Sequence, residues 1–184
     1  MNTLTIVHDF LRRHVRPGAF CIDATAGRGR DTALLCRLAG EQGRVLAFDI
    51  QDDAIRQTRA LLESEGLRAE VIQDSHANMA QYASPGTVDC IVFNFGRLPG
   101  GDPKIFTTAA SSLPAIDAGL DLLRPGGVMA LALYYGKENG YDEKNAILSH
   151  LKSINDRIFT VLGCDWLNRR NDPPLPIFIW KEPV

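Results

Sequence analysis

The chain has 184 residues, of which 45% are hydrophobic, and its 20 Lys and Arg against 22 Asp and Glu leave a formal net charge of −2 at pH 7. This length suits one domain with a buried core, and we expect a single domain over residues 1–184. The slightly acidic balance argues against binding nucleic acid through bulk positive charge, so contact with RNA needs a local cationic patch.

The apolar pattern alternates between strands and helices along most of the chain. A leading helix is predicted over residues 1–16, and it ends where Pro17 and Gly18 break the helical spacing. Strands are predicted at 19–22, 44–49, 69–73, 88–93, 128–134, 159–167 and 177–181. Further helices are predicted at 32–38 and 52–65, around 116–123 and from about residue 143. This order indicates an α/β fold with a mostly parallel sheet, whose last strand returns antiparallel after a hairpin-like link.

The segment 21–32 reads as a strand, a glycine loop and a helix, the usual start of a nucleotide-binding sheet. A dinucleotide loop needs a third glycine where Thr32 stands, and Asp23 and Asp31 would repel a pyrophosphate at the helix N-terminus. A ligand with an ammonium group and a ribose fits better. Asp23 can anchor the ammonium, directly or through water, and the bare backbone of Gly27 and Gly29 lets the ligand lie close. S-adenosylmethionine is such a ligand.

Polar residues also end the next two predicted strands. Asp49, followed closely by Gln51, lies about twenty residues beyond the glycines, where a ribose-binding carboxylate belongs. The alternative is that Asp23 and Asp49 only cap the helices that follow them. Ser75 and His76 come where an adenine ring would rest, although a single histidine after a strand is often a cap or a surface group. Metal binding by His76 is not expected, because it lacks partner ligands.

A long loop, residues 94–102, follows the fourth predicted strand. Asn94 can accept a hydrogen bond from a substrate N–H through its carbonyl, and Phe95, Leu98 and Pro99 offer an apolar wall. A glycine-rich loop with no chemical role is the alternative. The length of the loop argues against that alternative, since an ordinary connection at this point needs only a few residues.

The four cysteines, Cys21, Cys36, Cys90 and Cys164, are widely spaced and form no C-x-x-C pair. This usage predicts reduced thiols in a cytoplasmic protein. The sequence has no long apolar run and no signal-like start, so we expect a soluble protein that is not exported and does not enter a membrane.

Taken together, these motifs resemble a bacterial class I methyltransferase family that carries the label rRNA methylase. Characterised members of that family are similar to the tRNA 5-(aminomethyl)-2-thiouridine methyltransferase. The resemblance runs nearly end to end and rests on Asp-Ala-Thr at 23–25, Gly-Arg-Gly at 27–29, Asp-Thr at 31–32, Phe-Asp-Ile-Gln at 48–51, Ser-His at 75–76, Tyr-Gly at 135–136, Gly140 and Asn-Asp-Pro-Pro at 171–174. The most specific segment is 94–102, with its Leu-Pro-Gly-Gly-Asp core at 98–102.

The resemblance implies a Rossmann-like class I methyltransferase fold, with a seven-stranded, mostly parallel sheet, an antiparallel last strand and helices on both faces. It further implies that S-adenosylmethionine is held by Gly27, Arg28, Asp31, Asp49, Gln51, Ser75 and His76. The chain departs from the family pattern at Arg28 and Arg30, which replace Asn and His, and at Lys137, which replaces His. All three replacements are cationic, which agrees with a polyanionic partner.

The implied reaction is N-methylation of the 5-aminomethyl group on the modified wobble uridine of tRNA. Such an amine has a pKa of roughly 10 and must lose a proton before it attacks. Asn94 would orient the neutral amine, with Tyr134 or Tyr135 as a wall or stacking surface; no general base is assigned. A cationic rim for the anticodon stem-loop is expected from Arg28, Arg30, Arg97, Lys104, Lys137, Arg169 and Arg170.

Other interpretations remain open at this point. The acceptor could instead be ribosomal RNA or a small-molecule amine, and each rim cation taken singly could be an ordinary solvated charge. A protein that binds S-adenosylmethionine or a dinucleotide without turnover is a different class, which the extended 94–102 loop argues against. A homodimer is expected from the family resemblance.

Overall fold

The computed structural model describes residues 1–97, 100, 102, 104–136 and 140–183. The predicted substrate contacts at Leu98 and Pro99, and the predicted rim cation Lys137, lie outside the described residues.

Within this part of the chain, strands and helices alternate. The strands are β1 (Phe20–Asp23), β2 (Arg44–Asp49), β3 (Glu70–Gln73), β4 (Val88–Phe95), β5 (Leu123–Leu133), β6 (Phe159–Gly163) and β7 (Leu175–Lys181). The helices are α1 (Thr3–His14), α2 (Arg30–Ala39), α3 (Asp52–Ser64), α4 (Ala109–Leu122) and α5 (Gly140–Ser153), with a 3₁₀ helix at His76–Gln81. Asn2 begins α1 by accepting a hydrogen bond from the backbone N–H of Thr5, as the capping residue of a helix does.

The strands described form one seven-stranded sheet in the order β3-β2-β1-β4-β5-β7-β6. Strands β1 to β5 pair in parallel, whereas β7 is antiparallel to both of its neighbours. The predicted fold class is therefore confirmed, including the antiparallel last strand. Because β1 lies between β2 and β4, the loops after these three strands meet at one edge of the sheet.

The buried side chains of the strands point alternately to two cores. Ile91, Phe93 and Phe95 of β4 face a core that includes α4 and α5, whereas Cys90 and Val92 face a core that includes α1 and α2. A central parallel strand is buried on both faces, which explains why β4 is apolar almost without interruption. Helices cover both faces of the sheet, as predicted.

Several boundaries differ from the sequence prediction; α4, predicted around 116–123, begins already at Ala109. β4 continues through Asn94 and Phe95, which pair with Ala132 and Leu133 of β5, so both residues belong to the strand and not to the loop. β5 begins at Leu123 with a register irregularity, α5 begins at Gly140, and β6 ends at Gly163. The 3₁₀ helix was not predicted; Ser75 caps it by accepting a hydrogen bond from the N–H of Ala77.

All four cysteines are free thiols, and three of them are buried. None of the helices described is long and apolar enough to cross a membrane.

Candidate active site

A cavity of about 340 Å³ opens where β1 to β5 end, a size typical of small-molecule sites. It gathers most of the residues singled out from the sequence. The predicted residues that line it are Gly27, Arg28, Asp31, Asp49, Gln51, Ser75, His76, Asn94 and Tyr134, together with the rim cations Arg30 and Arg97.

Asp49 connects two of the loops that border this cavity. Its Oδ2 accepts a hydrogen bond from the N–H of Gly27 at 3.0 Å, and its Oδ1 accepts one from the N–H of Gln51 at 2.9 Å. Neither Asp23 nor Asp49 caps the helix that follows, because α2 and α3 begin without a side-chain cap. This removes the capping alternative and leaves Asp49 where a ribose-binding carboxylate belongs.

Asp23, predicted to anchor the ligand's ammonium, does not line the cavity. Its side chain is fully buried, where Oδ2 accepts a hydrogen bond from the hydroxyl of Thr32 at 2.6 Å and Oδ1 accepts one from the N–H of Thr25. Burial and the nearby charge of Asp31 raise its pKa from 3.8 to about 7. Of the two predicted ways to anchor the ammonium, direct contact does not fit this position, whereas contact through a water molecule stays a prediction. Asp31, nearby in sequence, does line the cavity.

Gly29 also has a different role from the one predicted, since it does not line the cavity. It begins α2 with φ near +77°, and a Cβ at this position would lie 2.9 Å from the Cα of Thr58 in α3. The glycine therefore allows α2 and α3 to pack closely. Gly27, in contrast, lines the cavity, and its carbonyl accepts a hydrogen bond from the Thr58 hydroxyl.

A hydrogen-bonded chain of three side chains lies at the β1 and β4 end of the cavity. Nε2 of His8 is 2.6 Å from Oδ1 of Asp31, and Nδ2 of Asn94 donates to Oδ2 of Asp31 at 2.7 Å. Because only the amide NH₂ can donate to a carboxylate, this bond fixes which way Asn94 points. Its buried Oδ1 then has no hydrogen-bond partner within the described part of the chain.

His8 was not identified from the sequence. It reaches Asp31 because α1 packs against α2, and Leu4, one helical turn earlier, lines the cavity itself. A histidine at i+4 from an apolar residue is common in amphipathic helices, so the pattern alone gave no signal of a site.

At the β3 end, a polar turn holds His76. Asp74 accepts hydrogen bonds from Asn78, from the hydroxyl of Tyr82 and from the N–H of Ser75, and these bonds lower its pKa. Burial lowers the pKa of His76 to about 4, so the ring is neutral at pH 7. Its buried Nε2 is the second side-chain atom, besides Oδ1 of Asn94, without a partner among the described residues.

The predicted apolar wall at Phe95 is wrong. Phe95 is fully buried in the sheet core, where it stacks on Phe93 at 4.8 Å and meets His76 edge-on, so it cannot touch a ligand. The apolar lining instead includes Phe106 and Ile105, which the sequence did not single out. Phe106 is 39% exposed at the cavity, an unusual environment for a phenylalanine.

A buried carboxyl group fixes the end of the loop that carries Phe106. The hydroxyl of Thr107 accepts a hydrogen bond from the N–H of Gly96 at 2.7 Å and donates to Glu143 of α5 at 3.0 Å. Ser112 of α4 donates to the other Glu143 oxygen at 2.6 Å. Burial raises the pKa of Glu143. Both ends of the loop are thus joined to the helices behind it.

Of the other predicted substrate residues, Tyr134 lines the cavity, whereas Tyr135, Arg169 and Arg170 do not. Tyr134 lines the cavity and is 37% exposed, but Tyr135 packs edge-on against Tyr141 and under the ammonium of Lys144. Arg169 lies over the Trp166 ring, and Arg170 is exposed in the loop between β6 and β7. That loop joins the same edge of the sheet as the cavity, because β6 is parallel to β5. Among the described residues, no three His, Cys, Asp or Glu side chains are grouped to hold a metal ion.

The sheet order, the glycine loop after β1 and the carboxylate at the end of β2 are the features of a class I methyltransferase. The family described as "Putative rRNA methylase" matches residues 45–180. A "putative rRNA-methylase" from Clostridium thermocellum superposes with a TM-score of 0.96 and 39% identity over 98% of each chain. The chain belongs to this family and is an S-adenosylmethionine-dependent methyltransferase.

Two further relatives give information on ligands. A putative methyltransferase from Streptococcus mutans, solved in complex with SAH, has a TM-score of 0.89 and 35% identity, with 98% of each chain covered. A chloroplastic tRNA (mnm(5)s(2)U34)-methyltransferase of Arabidopsis thaliana is 31% identical over 188 residues, which are 96% of this chain and 68% of the plant protein.

Proposed function

We propose that this protein transfers a methyl group from S-adenosylmethionine to the primary amine of a 5-aminomethyl group on the modified wobble uridine of tRNA. The observation that carries the proposal is the Asn94 amide. Its oxygen is buried in the wall of the cavity without a partner among the described residues, while its NH₂ group donates to Asp31. An unpaired buried carbonyl costs about 1–3 kcal/mol, and the N–H of an incoming amine would supply the missing bond.

The cofactor would lie at the β2 and β3 end of the cavity. Asp49 would accept hydrogen bonds from the ribose hydroxyls, with Gln51 beside it, and Ser75 and the neutral His76 ring would meet the adenine. Because Gly27 has no side chain, the ligand could approach the backbone closely between these strands and the β4 end of the cavity. S-adenosylmethionine, when bound, supplies an electrophilic methyl group on a positively charged sulfur. The donor set of carboxylate, amide and neutral imidazole fits such a ligand.

The acceptor would lie at the β4 and β5 end. Methyl transfer is an in-line displacement, so placing the acceptor nitrogen behind the methyl carbon supplies much of the rate acceleration. Asn94 would orient the neutral amine through Oδ1, and Tyr134 and Phe106 would enclose the uracil ring from the sides. Aromatic faces of this kind bind unpaired bases by stacking.

The chemistry of the rim agrees with an RNA acceptor. Arg28, Arg30 and Arg97 border the cavity, and Lys104 and Arg170 are exposed in loops that follow strand ends. These cations would contact phosphates, which position an RNA without reading its sequence. The identity to the plant tRNA methyltransferase supports tRNA over ribosomal RNA. A homodimer and a cytoplasmic location remain part of the proposal.

The experiment is methyl incorporation from labelled S-adenosylmethionine into total tRNA from cells that lack this protein, with rRNA and small amines assayed in parallel. Nucleoside mass spectrometry of the tRNA should show a gain of one methyl group on 5-aminomethyl uridines at the wobble position. The variant Asn94→Ala should lose this activity while it still binds S-adenosylhomocysteine. Asn145→Ala, at an exposed position of α5, is the matched control and should remain active.

Incorporation into rRNA but not tRNA would overturn the acceptor and leave the methyltransferase assignment intact. Methylation of a carbon or oxygen atom of tRNA would overturn the proposal that an amine accepts the methyl group, and with it the role of Asn94.

A further inference from the structure

His8 of α1 and Asp31 of α2 form a pair at the cavity wall, with Nε2 of His8 2.6 Å from Oδ1 of Asp31. Their side chains are 24% and 8% exposed, so the pair joins the wall of the cavity to the solvent side of α1. Asp31 lines the cavity, and His8 stands behind it. On its own helix, His8 has Asp9 as a charged neighbour, and that carboxylate is paired with Arg12 at 2.9 Å.

The proposed reaction needs a route for a proton at this place. A primary alkyl amine has a pKa of roughly 10, so it arrives mostly as an ammonium ion without a lone pair to attack with. Asn94 can accept a hydrogen bond but cannot take a proton at neutral pH. Asp31 lines the same cavity as Asn94 and accepts a hydrogen bond from the Asn94 NH₂ group at 2.7 Å, so it is a carboxylate at the same end of the cavity as the proposed amine site.

Resting on the proposed function, we infer that Asp31 takes a proton from the acceptor ammonium and passes it through His8 to solvent. In this arrangement Asp31 is a catalytic residue that touches the amine. His8 acts through Asp31, as a positioning residue whose side chain is 24% exposed to solvent.

The protons and bonds balance as follows. The ammonium gives one proton to Asp31, which gives it to Nε2 of a His8 ring that carries its proton on Nδ1, and the ring releases that Nδ1 proton to water. Before the next turnover the ring takes a proton from water at Nδ1 and gives the one on Nε2 back to water, so His8 regains its starting form. The neutral amine then forms a nitrogen–carbon bond to the methyl group while the sulfur–carbon bond breaks, which leaves a neutral thioether and a secondary ammonium. No oxidant, reductant or further reactant is needed.

Other titratable groups face Asp31 but are less suited to this task. Asp23 is fully buried behind it and does not line the cavity, so it cannot touch the amine. The pKa of Tyr134 is raised by burial and by the charge of Asp31, so its hydroxyl keeps its proton. Asp49 lies at the β2 end of the cavity, and Arg30, on the same helix as Asp31, is a guanidinium with no site that can accept a proton.

The test compares His8→Gln with wild type in single-turnover methylation of tRNA, from pH 6 to pH 10. Glutamine keeps an N–H that can donate to Asp31 but cannot pass a proton on. The matched control is His150→Gln, because His150 makes a similar contact to Asp117 at 2.7 Å, is also 24% exposed, and lies on α5 away from the cavity. Melting temperature and affinity for S-adenosylhomocysteine are measured for each variant to establish that it folds.

We expect His8→Gln to react at least tenfold more slowly than wild type near pH 7, with unchanged affinity for S-adenosylhomocysteine and tRNA. The loss should shrink toward pH 10, where the amine arrives neutral without help. His150→Gln should follow wild type at every pH. A purely structural role of His8 would instead give a loss that does not depend on pH.

The failure of this inference is distinguishable from failure of the proposed function. If wild type methylates the amine and His8→Gln matches it at every pH, or is slowed equally at every pH, only the relay is overturned. If wild type transfers methyl to a carbon or oxygen atom, both proposals fall, because no ammonium proton has to be removed.

Discussion

Asp49, at the end of β2, accepts a hydrogen bond from the backbone N–H of Gly27 in the loop after β1, at 3.0 Å. The same carboxylate accepts from the N–H of Gln51 at the start of α3, at 2.9 Å. One side chain thus joins the loops of two neighbouring strands. Both loops border the cavity, so the carboxylate holds two parts of the cavity wall together.

Replacing Asp49 by Asn should weaken cofactor binding. A carboxamide has one acceptor oxygen, so its NH₂ group must face the N–H of either Gly27 or Gln51, and one loop loses its bond. We expect at least a tenfold weaker affinity for S-adenosylhomocysteine by calorimetry, or about 1.4 kcal/mol. Asp52→Asn, at an exposed residue that pairs with Arg56, is the control. Equal affinity in Asp49→Asn and wild type would contradict the role.

Gly29→Ala should destabilise the fold more than Gly18→Ala. Both glycines have positive φ, near +77° and +83°, so both variants carry similar backbone strain of about 1–3 kcal/mol. At Gly29, however, the new Cβ would also lie 2.9 Å from the Cα of Thr58, whereas at Gly18 it meets no described atom within 4 Å. Urea unfolding should show an additional loss of about 1–3 kcal/mol for Gly29→Ala. Equal losses would mean that α3 shifts without resistance.

The segments that the sequence singled out at the ends of β1, β2, β3 and β4 share a local signal. An apolar run that ends in a polar residue predicts both the strand and the edge at which the polar side chain appears, because parallel strands all end on the same side. This reasoning succeeded for Asp49 and His76, which line one cavity although they lie far apart in sequence.

The site predictions that failed depended on which face of the sheet a side chain points to and on contacts between residues far apart in sequence. Successive residues of a strand point to opposite faces, so extending β4 by two residues sends Asn94 toward α2 and Phe95 into the core. The same sequence read as a loop gave no reason to separate them. His8 reaches Asp31 only through the packing of α1 against α2, and Phe106 is held at the cavity by a loop whose end is fixed by the bond between Thr107 and Gly96. A local sequence pattern predicts neither contact.

Asp23 should make the stability of the protein depend on pH. Its folded pKa is about 7, above its ordinary value of 3.8, so the folded protein keeps this proton up to about pH 7 while the unfolded chain loses it near pH 4. The stability from this group is therefore fully present below about pH 4 and is lost as pH rises through 7, by about 4 kcal/mol at most.

Asp23→Asn removes this titration. The free energy of unfolding is measured at pH 5 and at pH 8. Its drop between these two values should be smaller for Asp23→Asn than for wild type, so the difference in stability between the two proteins shifts in favour of the variant as pH rises. Asp121→Asn, at an exposed residue of α4, should keep a constant difference from wild type. A difference between Asp23→Asn and wild type that does not change with pH would contradict the raised pKa.

Phe106→Ala should weaken binding of the tRNA acceptor without changing the affinity for the cofactor. If Phe106 stacks on the unpaired base, its loss removes about 1–3 kcal/mol of binding, and KM for tRNA should rise roughly tenfold or more. Affinity for S-adenosylhomocysteine should stay the same. Ile158→Ala is the control, because Ile158 is 42% exposed but precedes β6 at the opposite edge of the sheet. A change in cofactor affinity alone would place Phe106 at the wrong end of the cavity.

Reversing the charges of Arg169 and Arg170 tests the RNA surface. These residues lie between β6 and β7, at the same edge of the sheet as the cavity, and phosphate contacts made there would release counterions on binding. The double change to Glu should weaken tRNA binding and flatten its dependence on salt concentration. The control reverses Lys152 and Arg157, which are exposed near the opposite edge. If both double variants bind tRNA as wild type does at every salt concentration, the RNA must approach over Arg28, Arg30 and Arg97 alone.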